Sequence, residues 1–275
     1  MKRSTDRILT THVGSLIRPP ALREFLAAKE AEKPFDQAAY AKCLKDCVAE
    51  VVRKQAEIGI DVISDGEFGK AISWAQYALF RLGGFQRRPF AGGNPFTRGV
   101  DRTRFAEFYA ELDARDKVET VMDSLVVAPI TYTGAAELQQ DIDNFKDALR
   151  SVDVAEAFLP VAAPTSVIPD RKNEYYKSDD DLQQAIAEAM HTEYKMIIDA
   201  GLLVQLDDAR AAVSYDRMVP PKTLEEYRGW LARQVEIINH AIKGLPREKI
   251  RYHVQADIAF DCLPISVNVL DIPIP

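Results

Sequence analysis

The 275-residue chain has three cysteines, Cys43, Cys47 and Cys262, which excludes a disulfide-stapled scaffold and fits a reducing, cytoplasmic setting. It lacks any apolar run near the ~18 residues of a membrane span, and its first residues, Met1 to Arg7, are too polar for a signal peptide. No membrane partner is expected. It has no excess of positive charge: 35 Lys and Arg face 42 Asp and Glu, a net of −7, so a nucleic-acid-binding role finds no support in the overall field. Glycine (13) and proline (15) are too few for a collagen-like or low-complexity chain. With 47% hydrophobic residues, the chain can bury the core of one sizeable domain, and residues 1–275 are read as a single domain.

Short apolar runs alternate with longer segments of helical period, the pattern of parallel strands joined by crossover helices. The runs are Ile8–Val13, Ile60–Ser64, Leu125–Ile130, Phe158–Val161, Leu202–Leu206 and Lys249–His253. Asp36 and Gly59 bound one intervening helix, Ser178 and Gly201 a second, and a third runs from about Thr223 to Lys243. Six such units predict an α/β fold of the (β/α)8 TIM-barrel type, incomplete at the C-terminus because closure requires eight. Such an open barrel exposes sheet edges that invite self-association. Residues 254–275, which contain no Lys or Arg, read as an atypical tail.

Two features are open to competing readings. Residues 83–120 form an insertion too long for a crossover helix. From Arg81 to Arg104, six arginines face one acid, Asp101, a net of +5 that suits either an anionic ligand or a solvated excursion whose arginines pair with nearby acids. Cys43 and Cys47 stand four apart on one helix face; two small core residues are the simplest account, since a metal would want further ligands.

In a (β/α) barrel the loops after the strands build the active-site mouth. The polar residues at those positions are His12, Gly14 and Ser15, then Asp65 and Glu67, then Asp207 and Asp208, and finally His253. Carboxylates facing an apolar wall are costly unless a cation, metal or ligand meets them. Convergence on one mouth is the expectation.

The segments ILTTHVGSLIR (8–18), IDVISDGEFGK (60–70), GLLVQLDD (201–208) and RYH (251–253) together resemble the C-terminal catalytic module of cobalamin-independent methionine synthases, most of all its short stand-alone members. The resemblance implies zinc-dependent transfer of a methyl group from a methyltetrahydrofolate (5-methyltetrahydropteroyltriglutamate) to a thiol such as homocysteine. It also implies roles. The backbone of Val13, Gly14 and Ser15 would hold an amino-acid carboxylate, Glu67 and Asp207 its ammonium group, and His253 a zinc ion. The small-molecule partners would be the thiol and the methyl-folate. The sequence departs from the family where the zinc site should continue: Gln255 stands where the family has cysteine, and nothing about Asp257, Asp261 and Cys262 reproduces the remaining ligands. Two alternatives therefore stand beside methyl transfer: a truncated, metal-free relative that keeps an amino-acid or folate pocket without turnover, and a relative that attacks another electrophile such as an epoxide.

Overall fold

The structure is a computed structural model that describes residues 1–70, 76–89, 99–115, 122–167 and 172–254. In chain order these contain α1 (Pro20–Glu30), α2 (Gln37–Glu57), β1 (Val62–Ile63), α3 (Gln76–Phe80), β2 (Leu82–Pro89), α4 (Val100–Arg104), α5 (Ala106–Arg115), β3 (Met122–Tyr132), α6 (Ala135–Leu149), β4 (Glu156–Ala162), α7 (Pro164–Val167), α8 (Asp179–Asp199), β5 (Leu203–Asp208), α9 (Arg210–Met218), α10 (Leu224–Ala241) and β6 (Ile250–Val254).

The helix boundaries follow from local chemistry. The Asp36 carboxylate accepts the Ala38 and Ala39 N–H groups at 2.9 and 3.0 Å, satisfying donors that the first turn of α2 leaves unpaired. Ser178 caps α8 in the same way, and Thr223 and Glu226 form a reciprocal capping box at α10.

Four strands form one parallel sheet in the order β1-β4-β5-β6, and Thr11 adds a parallel bridge to Val62 at the β1 edge. The sheet therefore has five parallel positions among the described residues, not six. One sequence expectation accounts for the difference, and a second holds only in part. The run Leu125–Ile130 is a strand, but β3 pairs antiparallel with β2 in a separate two-stranded sheet; an apolar run sets strand propensity, not direction or partner. The run Ile8–Val13 touches the sheet only at Thr11, because Ile8 is 84% exposed and Val13 42% exposed, so its apolar pattern buries little. The insertion accordingly begins as strand β2, continues through α4 and α5, and returns in β3. The tail beyond Val254 lies outside the described residues.

Alternation along the strands separates two environments. Ile63, Leu159, Val161, Val204 and Leu206 belong to the main core under the helices. The opposite face carries a small apolar cluster of Val62, Phe158 and Leu203, with Met1 against it. Pro160, Gln205, Asp207, Arg251 and His253 share the parity of that second face. The sheet therefore reserves one face for packing and offers the other, at its C-terminal end, polar groups.

Candidate functional site

Beyond β1 the chain makes a tight, irregular turn. Gly66 (φ +70°) and Glu67 (φ +60°) are both left-handed, a conformation that costs a non-glycine residue on the order of 1–2 kcal/mol. Four sets of contacts impose it. The Asp65 carboxylate accepts the Glu67 N–H at 2.9 Å. The Ser64 hydroxyl accepts the Gly66 N–H at 3.2 Å, while the buried Gln55 side chain brackets the Ser64 backbone from α2. The Leu16 N–H donates to Gly66 O at 3.1 Å. Arg18 Nη2 donates to Glu67 O at 2.7 Å and to Lys70 O at 3.3 Å. The last two contacts tie the segment that follows Val13, Gly14 and Ser15 to the Glu67 turn. Those three residues are themselves exposed, and Gly14 takes φ +84°.

Glu67 is buried, and its partner is Lys70: Lys70 Nζ lies 3.2 Å from Glu67 Oε2, donates to Pro160 O on β4, and sits 4.5 Å from the centroid of the Tyr77 ring. Burial also pushes the Asp65 carboxyl up to about 6, against the opposing pull of Lys70.

Asp207 is placed differently, by strand register alone. It pairs with Ala162 on one side and with His253 on the other. Its Oδ1 lies 2.9 Å from His253 Nδ1 and accepts Gln205 Nε2 at 2.9 Å. Asp208, one residue on, faces the other way: it caps α9 through the Arg210 and Ala211 N–H groups, each at 3.0 Å, and accepts the Tyr252 hydroxyl at 2.7 Å. Of the two adjacent acids, only Asp207 is left for a ligand.

The structure thus joins Asp207 and His253 directly. Glu67 stands after the C-terminal end of a strand in the same sheet and connects to β4 through Lys70. The two carboxylates are not bonded to each other. His12, which sequence position also put at the mouth, has a buried Nε2 with no hydrogen-bond partner among the described residues. Three cations were missed. Arg18 and Lys70 lie inside the quoted segments but are not strand-end acids. Arg251, on β6, stacks 4.1 Å from the Phe158 ring centroid and reaches Thr11 Oγ1 at 3.4 Å, spanning from the last described strand to the first segment. The i,i+3 spacing of Glu67 and Lys70 was the one available signal.

Among the described residues, Arg81, Arg87 and Arg102 of the arginine-rich stretch do not share a common anion site. Arg81 is buried against Glu193 and Asp141, Arg87 meets Glu32, and Arg102 meets Asp113. Arg98 lies outside the described residues. Cys43 and Cys47 have sulfurs 4.0 Å apart and pack against the main core; burial and the neighbouring Cys43 push the Cys47 thiol up to about 11, so it stays protonated.

Zinc fits the described residues poorly. His253 Nδ1 is engaged by Asp207, which leaves Nε2, and among the described residues no group of three or more His, Cys, Asp or Glu side chains could hold a metal ion. Gln255 and Cys262 lie outside them. No helix among the described residues is long and apolar enough to cross a membrane.

A parallel sheet packed against helices, with polar groups at its C-terminal end, defines an α/β protein. Comparison with known proteins adds a family likeness. Residues 8–86 match the family model of the cobalamin-independent synthase catalytic domain. Methionine synthase of Sulfurisphaera tokodaii is 26% identical over 247 residues, 89% of this chain and 60% of that protein. Methionine synthase of Saccharolobus solfataricus is 23% identical over 252 residues, 91% of this chain and 64% of that one. The fold matches a B12-independent methionine synthase from a Shewanella species, solved in complex with selenomethionine, with a TM-score of 0.61 at 19% identity over 89% of this chain and 60% of that one. Over about nine-tenths of its length the chain is similar to cobalamin-independent methionine synthases, and it spans about 60% of the length of the curated relatives it matches.

Proposed function

We propose that this chain, as a single barrel-type domain, binds an amino acid of the homocysteine or methionine type and serves methyl transfer from a methyl-folate to the thiol. Glu67 and Asp207 take the ammonium group, and the exposed backbone at Val13, Gly14 and Ser15 takes the carboxylate. The observation that carries the reading is the pairing of Asp207 with His253 at 2.9 Å at the C-terminal end of the sheet, the end after which the Glu67 turn follows β1. A carboxylate and an ammonium meet through charge-assisted hydrogen bonds of about 2.7–2.9 Å, which suits two acids at the mouth of an otherwise compensated site.

The division of labour is then simple. The acids hold the amine and fix the direction in which the thiol-bearing chain points. Asp207 orients the His253 ring and sets which nitrogen faces the site. In the family zinc would supply the thiolate, and His253 is its one candidate ligand among the described residues; no step is derived through the metal. A second reading, a metal-free relative that binds an amino acid without turnover, rests on the lack of a group of three or more metal ligands among the described residues.

Isothermal titration of the protein with L-methionine tests the binding claim. Asp207→Asn is expected to weaken affinity at least tenfold while leaving the melting temperature within a few degrees, and unchanged affinity would remove Asp207 from the site. Zinc content then separates the two readings: about one equivalent, with methyl transfer to homocysteine, favours the enzyme, whereas zinc-free protein that binds L-methionine without turnover favours the second.

A further inference from the structure

Resting on the binding reading above, we propose that Arg251 is the specificity-determining residue for the ligand carboxylate: its guanidinium and the Asp207 carboxylate receive the two charges of an amino-acid zwitterion on one face of the sheet.

Placement is the first argument. β6 pairs with β5 so that Arg251 stands opposite Gln205 and His253 opposite Asp207. Residues two apart on a strand point to the same face, which puts Arg251 on the face that carries Asp207. From β6 its Nη2 reaches the Thr11 hydroxyl at 3.4 Å, and the chain runs on from Thr11 to Val13, Gly14 and Ser15. Arg251 therefore spans from the strand pair that holds Asp207 to the segment whose backbone is assigned to the carboxylate. Backbone N–H groups supply that carboxylate with donors, and Arg251 adds a full positive charge.

The second argument is the compensation that the guanidinium lacks. Its plane stacks 4.1 Å from the Phe158 ring centroid, yet Nη1 is buried with no hydrogen-bond partner among the described residues. Two acids attract it through space, Asp207 and Glu156, and both are committed elsewhere. Asp207 accepts Gln205 and pairs with His253, while Glu156 accepts the Lys2 N–H at 2.7 Å and lies 3.6 Å from the terminal amine of Met1. Burial outweighs their pull and lowers the guanidinium below its ordinary pKa. The side chain is nonetheless part-exposed, which leaves an edge open to a ligand. A cation and an anion that share a face without pairing are matched by a zwitterion, and mismatched by a ligand that carries one charge only.

The test is calorimetric titration of wild type, Arg251→Met and Arg251→Lys, at constant pH and ionic strength, with L-methionine and with 3-(methylthio)propylamine, which keeps the amine and the thioether and lacks the carboxylate. Wild type is expected to prefer L-methionine. Arg251→Met is expected to bind L-methionine on the order of tenfold or more weakly, and to bind the amine as well as wild type or better, because a cation that repels it is gone. Arg251→Lys keeps the charge without the planar fork and should fall between the two. A mere brace between β6 and Thr11 would, when lost, weaken both compounds alike. That result, or unchanged L-methionine affinity in Arg251→Met, refutes the role of Arg251 while the binding reading stands. If wild type binds neither compound, both fall. Should neither variant fold, wild type still decides: equal affinity for the two compounds would mean that no charge recognises the carboxylate, and would refute the proposal.

Discussion

The two acids assigned to the ligand amine are held in place by opposite means. Asp207 lies on a regular strand and needs little beyond register: its neighbours in the sheet put it beside His253, and its carboxylate remains part-exposed. Glu67 sits in a left-handed turn that Gln55, Ser64, Asp65, Leu16 and Arg18 hold by separate hydrogen bonds, and it is buried with Lys70. A strand-borne group is cheap to place and hard to misplace. A turn-borne group can be sunk deeper, at the cost of local strain and of many anchors, any of which can fail.

That contrast predicts unequal sensitivity. The largest effect is expected at the turn: Arg18→Ala removes charge-assisted donors to two carbonyls and should destabilise by about 1.5–3 kcal/mol in urea unfolding, with ligand affinity falling alongside. Gly66→Ala forces a side chain into φ +70° and brings its Cβ within 3.1 Å of the Phe68 ring; a loss of about 1–2 kcal/mol is expected. At the strand end, Asp208→Ala should cost about 1–2 kcal/mol through the lost α9 cap, whereas Asp207→Asn should change stability by less than about 0.5 kcal/mol and act on binding. Equal effects of the two strand-end substitutions on L-methionine affinity would erase the distinction drawn between them.

The turn should also show a pH signature. The Asp65 carboxyl is raised to about 6 by burial, so in this range the native state binds more protons than the unfolded chain. Its contribution is full below about pH 4, declines as pH rises through about 6, and is flat beyond. Asp65→Asn keeps an oxygen for the Glu67 N–H and removes the charge, so it should stabilise the protein above pH 6, by on the order of 3 kcal/mol at most, and have little effect at pH 4. Asp61, held down by Arg7 and Thr10, slopes the other way in both proteins and cancels in the comparison.

Much of this was legible in the sequence because it is written in local signals. Capping residues bounded α2, α8 and α10, and apolar runs located β4, β5 and β6. Strand-end position selected Glu67, Asp207 and His253. What was hidden depended on long-range choices. The partner and direction of β3 are fixed by pairing with β2, which no periodicity reveals. Thr11 joins the sheet by a single bridge, although its run reads as a full strand. Asp207 and Asp208 are indistinguishable as letters, and only strand parity turns one toward His253 and the other to a helix cap. The arginine cluster was dense in sequence, but Arg81, Arg87 and Arg102 are dispersed in space, each against its own acids. Buried Lys70 escaped notice because cations at a mouth were not sought where acids were expected to receive one.

A crystal structure of the protein soaked with L-methionine tests the central claim most directly. The account predicts the ligand nitrogen within about 3 Å of carboxylate oxygens from both Glu67 and Asp207, with Lys70 still on Glu67. A ligand seated elsewhere, or an amine that touches only one of the two acids, would contradict it.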